Sequence, residues 1–430
     1  MLVVFLLLIA LGGAGYLAAN TSAIRRGVEW RLDIAAAYLR GFTNPVRPVP
    51  TAYIPTAAPT AVTDPPVAET PAAETAALRG TTTATDAPVP TTQVSQEETP
   101  AASPSPPPTP TALPAQVLLD SPTYAGQDWN NCGPAALAMQ LDYYGWEGDQ
   151  FTISDLIKPQ RDDRNVNIDE LAHYVRTRAG WLEVEYRVGG SIDLLRALLA
   201  AGFPVMIEET FHFEGAYWVN DDLWAGHYLL LTGYDDAAQT FTTQNSFIGP
   251  DLPRSYADLD AGWQAFNRVY MLVYPLEQRP LVEAILGADW SPDDNRQHAL
   301  DAARRESAAQ PENTFAWFNL GANQVYFEDY TGAAASFDQA RQLGWPQRML
   351  RYQFGPFLAY FHSGRTDDLL ALAEYALERT PNSEEALLWR GWAHYRLGST
   401  DAARADFQQA LDLHPGYVDA LYALDFLASE

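Results

Sequence analysis

Between Asn44 and Gln116 the chain is built mostly from Pro, Thr, Ala and Ser, as in the run TPAASPSPPPTPTALPA. Such a stretch lacks the apolar side chains needed to offset chain entropy, so residues 44–116 read as a disordered linker rather than a domain. Proline biases it towards polyproline geometry, and at ~3.1 Å per residue it reaches on the order of 200 Å when fully extended. The tract therefore divides the 430-residue chain and leaves any sizeable core to residues beyond it. Thr/Ser/Pro-rich stalks are typical of surface proteins; an O-glycosylated stalk and a bare spacer are both compatible with this composition.

Ahead of the linker, Leu2 to Ala19 are almost wholly apolar and carry no charge. About 18–20 such residues span a bilayer as a helix, so residues 1–20 are expected to be a transmembrane anchor, or a signal peptide if cleaved. Leu17 stands where cleavage after Ala19 would need a small residue, and no basic region precedes the apolar run; both favour the anchor. Residues 21–43 follow as a juxtamembrane segment. Their Arg25 and Arg26 point to a cytoplasmic side by the positive-inside rule, whereas the stalk argues for export. The expectation is a membrane-anchored protein with extracytoplasmic globular domains, or a secreted one. A net charge of −27 argues against a nucleic-acid partner and against electrostatic adhesion to anionic lipid.

Residues 117–278 carry the chemistry. The chain has one cysteine, Cys132, which rules out an intrachain disulfide and a multi-thiolate zinc site. It lies in GQDWNNCGPAALAMQLDYYGW, where Asn130, Asn131, Gly133 and Pro134 form a turn and the following apolar residues have helical spacing. A sulfur at a helix start meets free backbone N–H groups and partial positive charge, which favour the thiolate and can hold an oxyanion. Gln127, five residues earlier, can donate its amide to the same oxyanion, and Gly133 allows close approach of a substrate carbonyl. Among the seven histidines, His227 opens AGHYLLLTGYDD, a glycine followed by a buried-strand pattern, and is the candidate base. His212 is a secondary candidate, and His173 sits in a helical pattern as a surface or packing residue. A hairpin of Tyr228–Tyr234 with Thr240–Asn245 would bring Asn245 beside His227 to accept its Nδ1–H bond. Asp235 and Asp236 fall at the far turn. The stretch ETFHFEGAYWVNDDLWAG reads as a lid or substrate wall, or as an ordinary surface loop.

The order Gln127, NNCGPA, GHYLLLTGYD and Asn245 resembles the bacteriocin-processing (double-glycine leader) cysteine peptidases and their wider papain-like relatives. The resemblance covers Val117 to Pro275. It implies an α+β papain-like fold, a Cys132–His227–Asn245 triad with Gln127 in the oxyanion hole, and peptide-bond hydrolysis with no metal or organic cofactor. Asn245 departs from the aspartate common in that group. The chain has no GxxxxGK[ST] motif and no multi-span region, so leader cleavage coupled to transport is not implied.

Residues 280–430 contain three units of roughly 34 residues. Trp317, Leu320, Gly321, Tyr330, Ala333, Phe337 and Ala340 mark the first, and Leu387, Gly391, Ala403, Phe407, Ala410 and Pro415 the third. A weaker middle unit holds Tyr360, Gly364, Ala373, Ala376 and Pro381, and HALDAARRESAAQP reads as a preceding half-repeat. The pattern is similar to tetratricopeptide repeats, an all-α solenoid that binds peptide segments or protein partners; a purely structural cap is the plainer reading. The function expected is therefore a membrane-tethered cysteine peptidase acting on a peptide or protein substrate. A non-catalytic surface scaffold that binds peptides and an amidase acting on cell-wall peptides are the alternatives.

Overall fold

The computed structural model describes residues 22–44, 47–53, 112–158, 160–161, 163 and 165–429. The transmembrane segment expected at 1–20 lies outside these residues, as does 54–111 of the expected linker. No described helix is long and apolar enough to cross a membrane. The juxtamembrane segment is a helix, α1 (Ser22–Thr43). Residues 47–53 of the expected linker lie against the C-terminal helices with Val49 buried; a single valine between prolines supplies the apolar contact that average composition conceals.

The central sheet holds β1 (Gln116–Leu118), β2 (Leu182–Arg187), β3 (Val205–His212), β4 (Trp224–Asp235), β5 (Thr240–Asn245), β6 (Gly249–Ser255) and β7 (Tyr270–Pro275). Their order is β2-β7-β3-β4-β5-β6, with β1 pairing the far end of β4, and every pairing is antiparallel. The two-residue alternation of strands divides the apolar side chains between two faces. Met206, Tyr228, Leu230, Met271 and Val273 pack with α2 (Cys132–Asp142), α3 (Gln150–Ile157) and α4 (Ile168–Arg178). Val205, Ile207, Leu229, Leu231, Leu272 and Tyr274 pack with α5 (Ile192–Ala200), α6 (Tyr256–Trp263) and α7 (Arg279–Leu286). Burial on both faces explains why LLLTGY in β4 reads as an unbroken apolar run. The GPDLP stretch forms the edge strand β6; an outer strand tolerates its prolines because no further strand needs their missing N–H groups.

The remaining helices are α8 (Pro292–Ala309), α9 (Thr314–Tyr326), α10 (Tyr330–Leu343), α11 (Met349–Tyr352), α12 (Gly355–His362), α13 (Thr366–Arg379), α14 (Glu384–Arg396), α15 (Thr400–Leu413) and α16 (Val418–Ser429). The pairs α9/α10, α12/α13 and α14/α15 are consecutive helical hairpins, giving the α+β domain plus helical array expected from the sequence. The array is joined closely to the sheet domain. Asn319 Nδ2 donates to the Gln264 carbonyl at 2.8 Å, Gln353 Nε2 to that of Ala265 at 2.7 Å, and Arg268 pairs with Glu306 at 2.7 Å. Trp224 stacks on Phe266, and Tyr352 packs edge-on against both rings.

Candidate active site

Cys132 is the first residue of α2, directly after a tight turn in which Asn130 adopts a left-handed φ of 52°. Asparagine tolerates that conformation better than most residues. Lys158 holds the turn from beneath, donating from Nζ to the carbonyls of Trp129 at 3.2 Å and Asn130 at 2.9 Å. Burial lowers its pKa to about 8, against the pull of Asp163 and of Cys132 itself. The glycine at 133 suits tight packing: a Cβ there would meet Leu171 Cδ1 and the Tyr228 ring at 3.3 Å.

Cys132, Gln127 and His227 line one cavity of about 350 Å³. His227 is buried near the start of β4, where its cross-strand partner is Glu209 of β3. The β4–β5 hairpin pairs Leu230 with Gln244 and Leu231 with Thr243. It returns the chain so that Asn245 Oδ1 lies 2.9 Å from His227 Nε2. The same oxygen accepts from the backbone N–H groups of Phe247 at 3.0 Å and Ile248 at 3.1 Å, so the Asn245 side chain is locked by its own turn. The contact corrects the nitrogen expected from sequence: Asn245 engages Nε2, which leaves Nδ1 free of it. Ring orientation depends on the approach angle of the hairpin, which local sequence does not encode.

A second correction concerns the thiol. Helix-start placement predicted a stabilised thiolate, yet burial pushes the Cys132 pKa up. The backbone N–H of Tyr228, the Lys158 cation and the N–H of Gly133 oppose that shift, while Glu208 reinforces it. Burial pulls His227 the other way, down to about 4, despite the Asn245 hydrogen bond. Both groups are therefore neutral at pH 7 in this state, and no hydrogen bond joins sulfur to imidazole.

Gln127 is held at both ends of its residue. Its backbone N–H donates to the Ser246 carbonyl at 2.8 Å, and Ser246 Oγ donates to its Oε1 at 2.9 Å. That use of Oε1 leaves the Nε2 amide without a partner among the described residues. Ser246 was not singled out from sequence, though it directly follows Asn245. Glu208 was also missed. It lines the cavity, and burial pushes its carboxyl up to about 8, while a hydrogen bond from Tyr228 pulls it down. Its one signal was an acid inside the apolar run VMIEETF.

The cavity is also lined by aromatic rings. Phe211, Phe213, Tyr217 and Trp218, from the stretch read as a lid or wall, line it together with Phe247. Phe211 lies 5.1 Å from the His227 ring and 5.1 Å from that of Phe247. The wall is anchored from the helical array. Arg348 stacks 3.8 Å over Trp218, pairs with Asp221 at 2.7 Å and donates to the Trp224 carbonyl at 2.7 Å. His212 is exposed at the end of β3 and His173 is exposed on α4; neither lines the cavity. Among the described residues no cluster of His, Cys, Asp or Glu could hold a metal ion.

Residues 118–271 match the Peptidase_C39 like family, and residues 384–417 match the tetratricopeptide repeat family. This chain carries a C39-like peptidase domain followed by tetratricopeptide-type repeats. No curated protein matches the chain. Among solved structures, a C39-like peptidase from Bacillus anthracis is 17% identical with a TM-score of 0.30, over 37% of this chain and 96% of that one. The double-glycine motif protease of an AMS/PCAT transporter, solved with its leader peptide, is 19% identical with a TM-score of 0.27, over 37% and 94%. Xylellain, a cysteine protease from Xylella fastidiosa, is 18% identical with a TM-score of 0.30, over 38% and 87%. The C39-like domain supplies Cys132, His227 and Gln127 to the cavity, and the repeats supply Arg348, Arg351 and Tyr352.

Proposed function

We propose that the C39-like domain is a cysteine peptidase with Cys132 as nucleophile, His227 as general base and acid, Asn245 as orienter and Gln127 as oxyanion donor. The observation that carries this reading is the convergence of Cys132, His227 and Gln127 on one cavity, with Asn245 fixed on the imidazole Nε2. As Sγ attacks the substrate carbonyl carbon, His227 takes the thiol proton at Nδ1. The negative oxygen that forms is held by Gln127 Nε2 and by a backbone N–H at the start of α2. His227 then gives the proton to the leaving amine, the C–N bond breaks, and water hydrolyses the thioester through the same base. The aromatic wall suits a peptide with apolar side chains.

An electrophilic peptide probe tests the assignment. It should label Cys132 in the natural chain and fail in His227→Ala. Equal labelling of both would overturn it. A second test reads the resting state. With a neutral thiol and a neutral imidazole, alkylation by iodoacetamide rises ~tenfold per pH unit between pH 6 and 8. A flat profile would mean a preformed thiolate–imidazolium pair.

A rival reading, a peptide-binding module that does not hydrolyse, draws on the raised thiol pKa and the missing sulfur–imidazole hydrogen bond. Catalytic hydrogen bonds are often loose before substrate binds and tighten in the complex, so the enzyme reading stands ahead of it. Tethering through residues 1–20 belongs to the same proposal and rests on their apolar composition. Recovery of the full chain in the washed membrane fraction checks it; recovery in the soluble fraction would refute it.

A further inference from the structure

The segment 47–53 makes contacts that a passive spacer would not need. Val49 is buried in the apolar core of the repeats. Arg341 of α10 donates from Nε to the Pro50 carbonyl at 2.8 Å. Asp368 of α13 accepts from the backbone N–H of Tyr53 at 2.9 Å. Arg47 lies 3.8 Å from Glu378. Two of these contacts read the main chain and one receives an apolar side chain, which is how an extended peptide is recognised. Proline at 48 and 50 suits the task, because it presets an extended backbone and brings no N–H of its own to desolvate.

The receiving side chains are organised in advance. Arg341 and Asp368 pair at 2.9 Å and are each 1% exposed. Arg365 bonds both Asp338 and Asp368, and the Tyr360 hydroxyl donates to Asp338 at 2.8 Å. A buried network of this kind costs stability unless its geometry is well satisfied, and here it leaves a donor and an acceptor facing the strap.

The strap follows α1, and α1 touches the cavity. Ala37 contributes to the wall of the space that holds Cys132 and His227. At Gly41 the helix backbone meets the aromatic wall so closely that a Cβ would stand 2.6 Å from Trp218 Cβ and 2.7 Å from the Val219 nitrogen.

We propose that the seam between α10 and α13 is a recognition site for an extended Val-Pro segment, that residues 47–53 of this same chain are its ligand, and that this clamp holds α1 across the Cys132 cavity. Being covalently joined, the strap meets its site at an effective concentration on the order of mM, so weak contacts suffice to keep it seated. Access to Cys132 then depends on displacing the strap, and a competing Val-Pro segment is the chemistry able to do so. That the gated cavity is a substrate cleft rests on the peptidase reading; the clamp does not.

The full chain and its Val49→Asp variant test this. Cys132 is the sole thiol, so iodoacetamide uptake reports its access without requiring catalysis. Unseating the strap should speed alkylation roughly tenfold or more at fixed pH and remove the hydrogen-exchange protection of the Tyr53 amide. A fluorescent peptide of residues 44–54 should bind the variant, whose seam is vacated, and not the natural chain. Equal alkylation rates, an unprotected Tyr53 amide in the natural chain, or peptide binding to neither protein would overturn the proposal. If alkylation responds while an electrophilic peptide probe labels neither chain, the clamp stands and the peptidase reading falls.

Discussion

One group of residues at the cavity, Gln127, Cys132 and His227 with Asn245 hydrogen-bonded to the imidazole, comes from the C39-like domain alone, while a second group, Arg348, Arg351 and Tyr352 from the repeats and Ala37 from α1, lines it from elsewhere in the chain. The first is held by neutral hydrogen bonds: Asn245 to His227, and Ser246 to Gln127. The second is held by a buried ion pair and stacked rings, centred on Arg348, Asp221 and Trp218. The difference separates two tasks. On the peptidase reading, the residues assigned to bond-making all come from one stretch of the chain, where small displacements are most damaging, while part of the cavity's shape is set by segments that the sequence places far away.

Substitutions in the first group should act on kcat with little loss of stability. His227→Ala should lower kcat for a peptide substrate by ~10³-fold or more, because it removes the one imidazole among the described residues that line the cavity with Cys132. Gln127→Ala should cost about 10²-fold, the usual worth of one oxyanion donor. Both are checked by steady-state kinetics with Tm measured alongside. If KM rose instead while kcat held, the assignment of tasks to groups would be wrong.

In the second group the expected signature is the reverse. Arg348→Met leaves Asp221 buried without its partner, which costs about 3–5 kcal/mol in chemical denaturation. It also frees Trp218, so KM should rise more than kcat falls. Replacing both partners, Arg348→Met with Asp221→Leu, should restore most of the stability and leave KM raised, since the stacked cation is still missing. Recovery of KM with stability would show that Arg348 matters only as a strut.

Much of the first group was legible because it is local or hairpin-linked. The turn formers around Cys132 and the apolar run after His227 predicted a helix start and a strand, and hairpin return is what carries the chain back to Asn245. The imidazole nitrogen was misread because ring orientation depends on strand twist and not on residue order. Lys158 and Arg348 were invisible for a different reason, and Glu208 showed only as an acid inside an apolar run. Each acts on a partner from another element, and no periodicity marks a lysine that will sit beneath a turn formed by Trp129 and Asn130. The thiol was misjudged because desolvation, which disfavours the charged form, outweighs the helix-start N–H groups and the Lys158 cation here.

Glu208 gives a subtler contrast between the groups, through pH. In the folded chain its carboxyl stays protonated to about pH 8, whereas an unfolded glutamate ionises near ~4.3. Between those values the unfolded chain binds fewer protons than the folded one, so stability falls as pH rises. Glu208→Gln removes this dependence. Against the natural chain it should gain on the order of 4 kcal/mol at pH 8 and nothing at pH 4, read from denaturant midpoints. Asp163, Glu170 and Glu209 are also raised and keep their own slope in the variant, so the difference between the two chains is the quantity to follow. A constant offset across pH would show that Glu208 is ionised in the fold.

The smallest effect should come from Ser246, which touches no reacting atom. Its hydroxyl fixes Gln127 Oε1 and thereby sets the orientation of the amide at the cavity. Ser246→Ala removes one hydrogen bond, worth about 1 kcal/mol, so kcat should fall roughly fivefold with KM and Tm little changed. The backbone bond from Gln127 to the Ser246 carbonyl survives the substitution and keeps the loop in place. Combining Ser246→Ala with Gln127→Ala distinguishes positioning from an independent role. If Ser246 acts only through Gln127, the double variant should be no slower than Gln127→Ala alone; a further fivefold loss would mean that the serine meets the substrate directly.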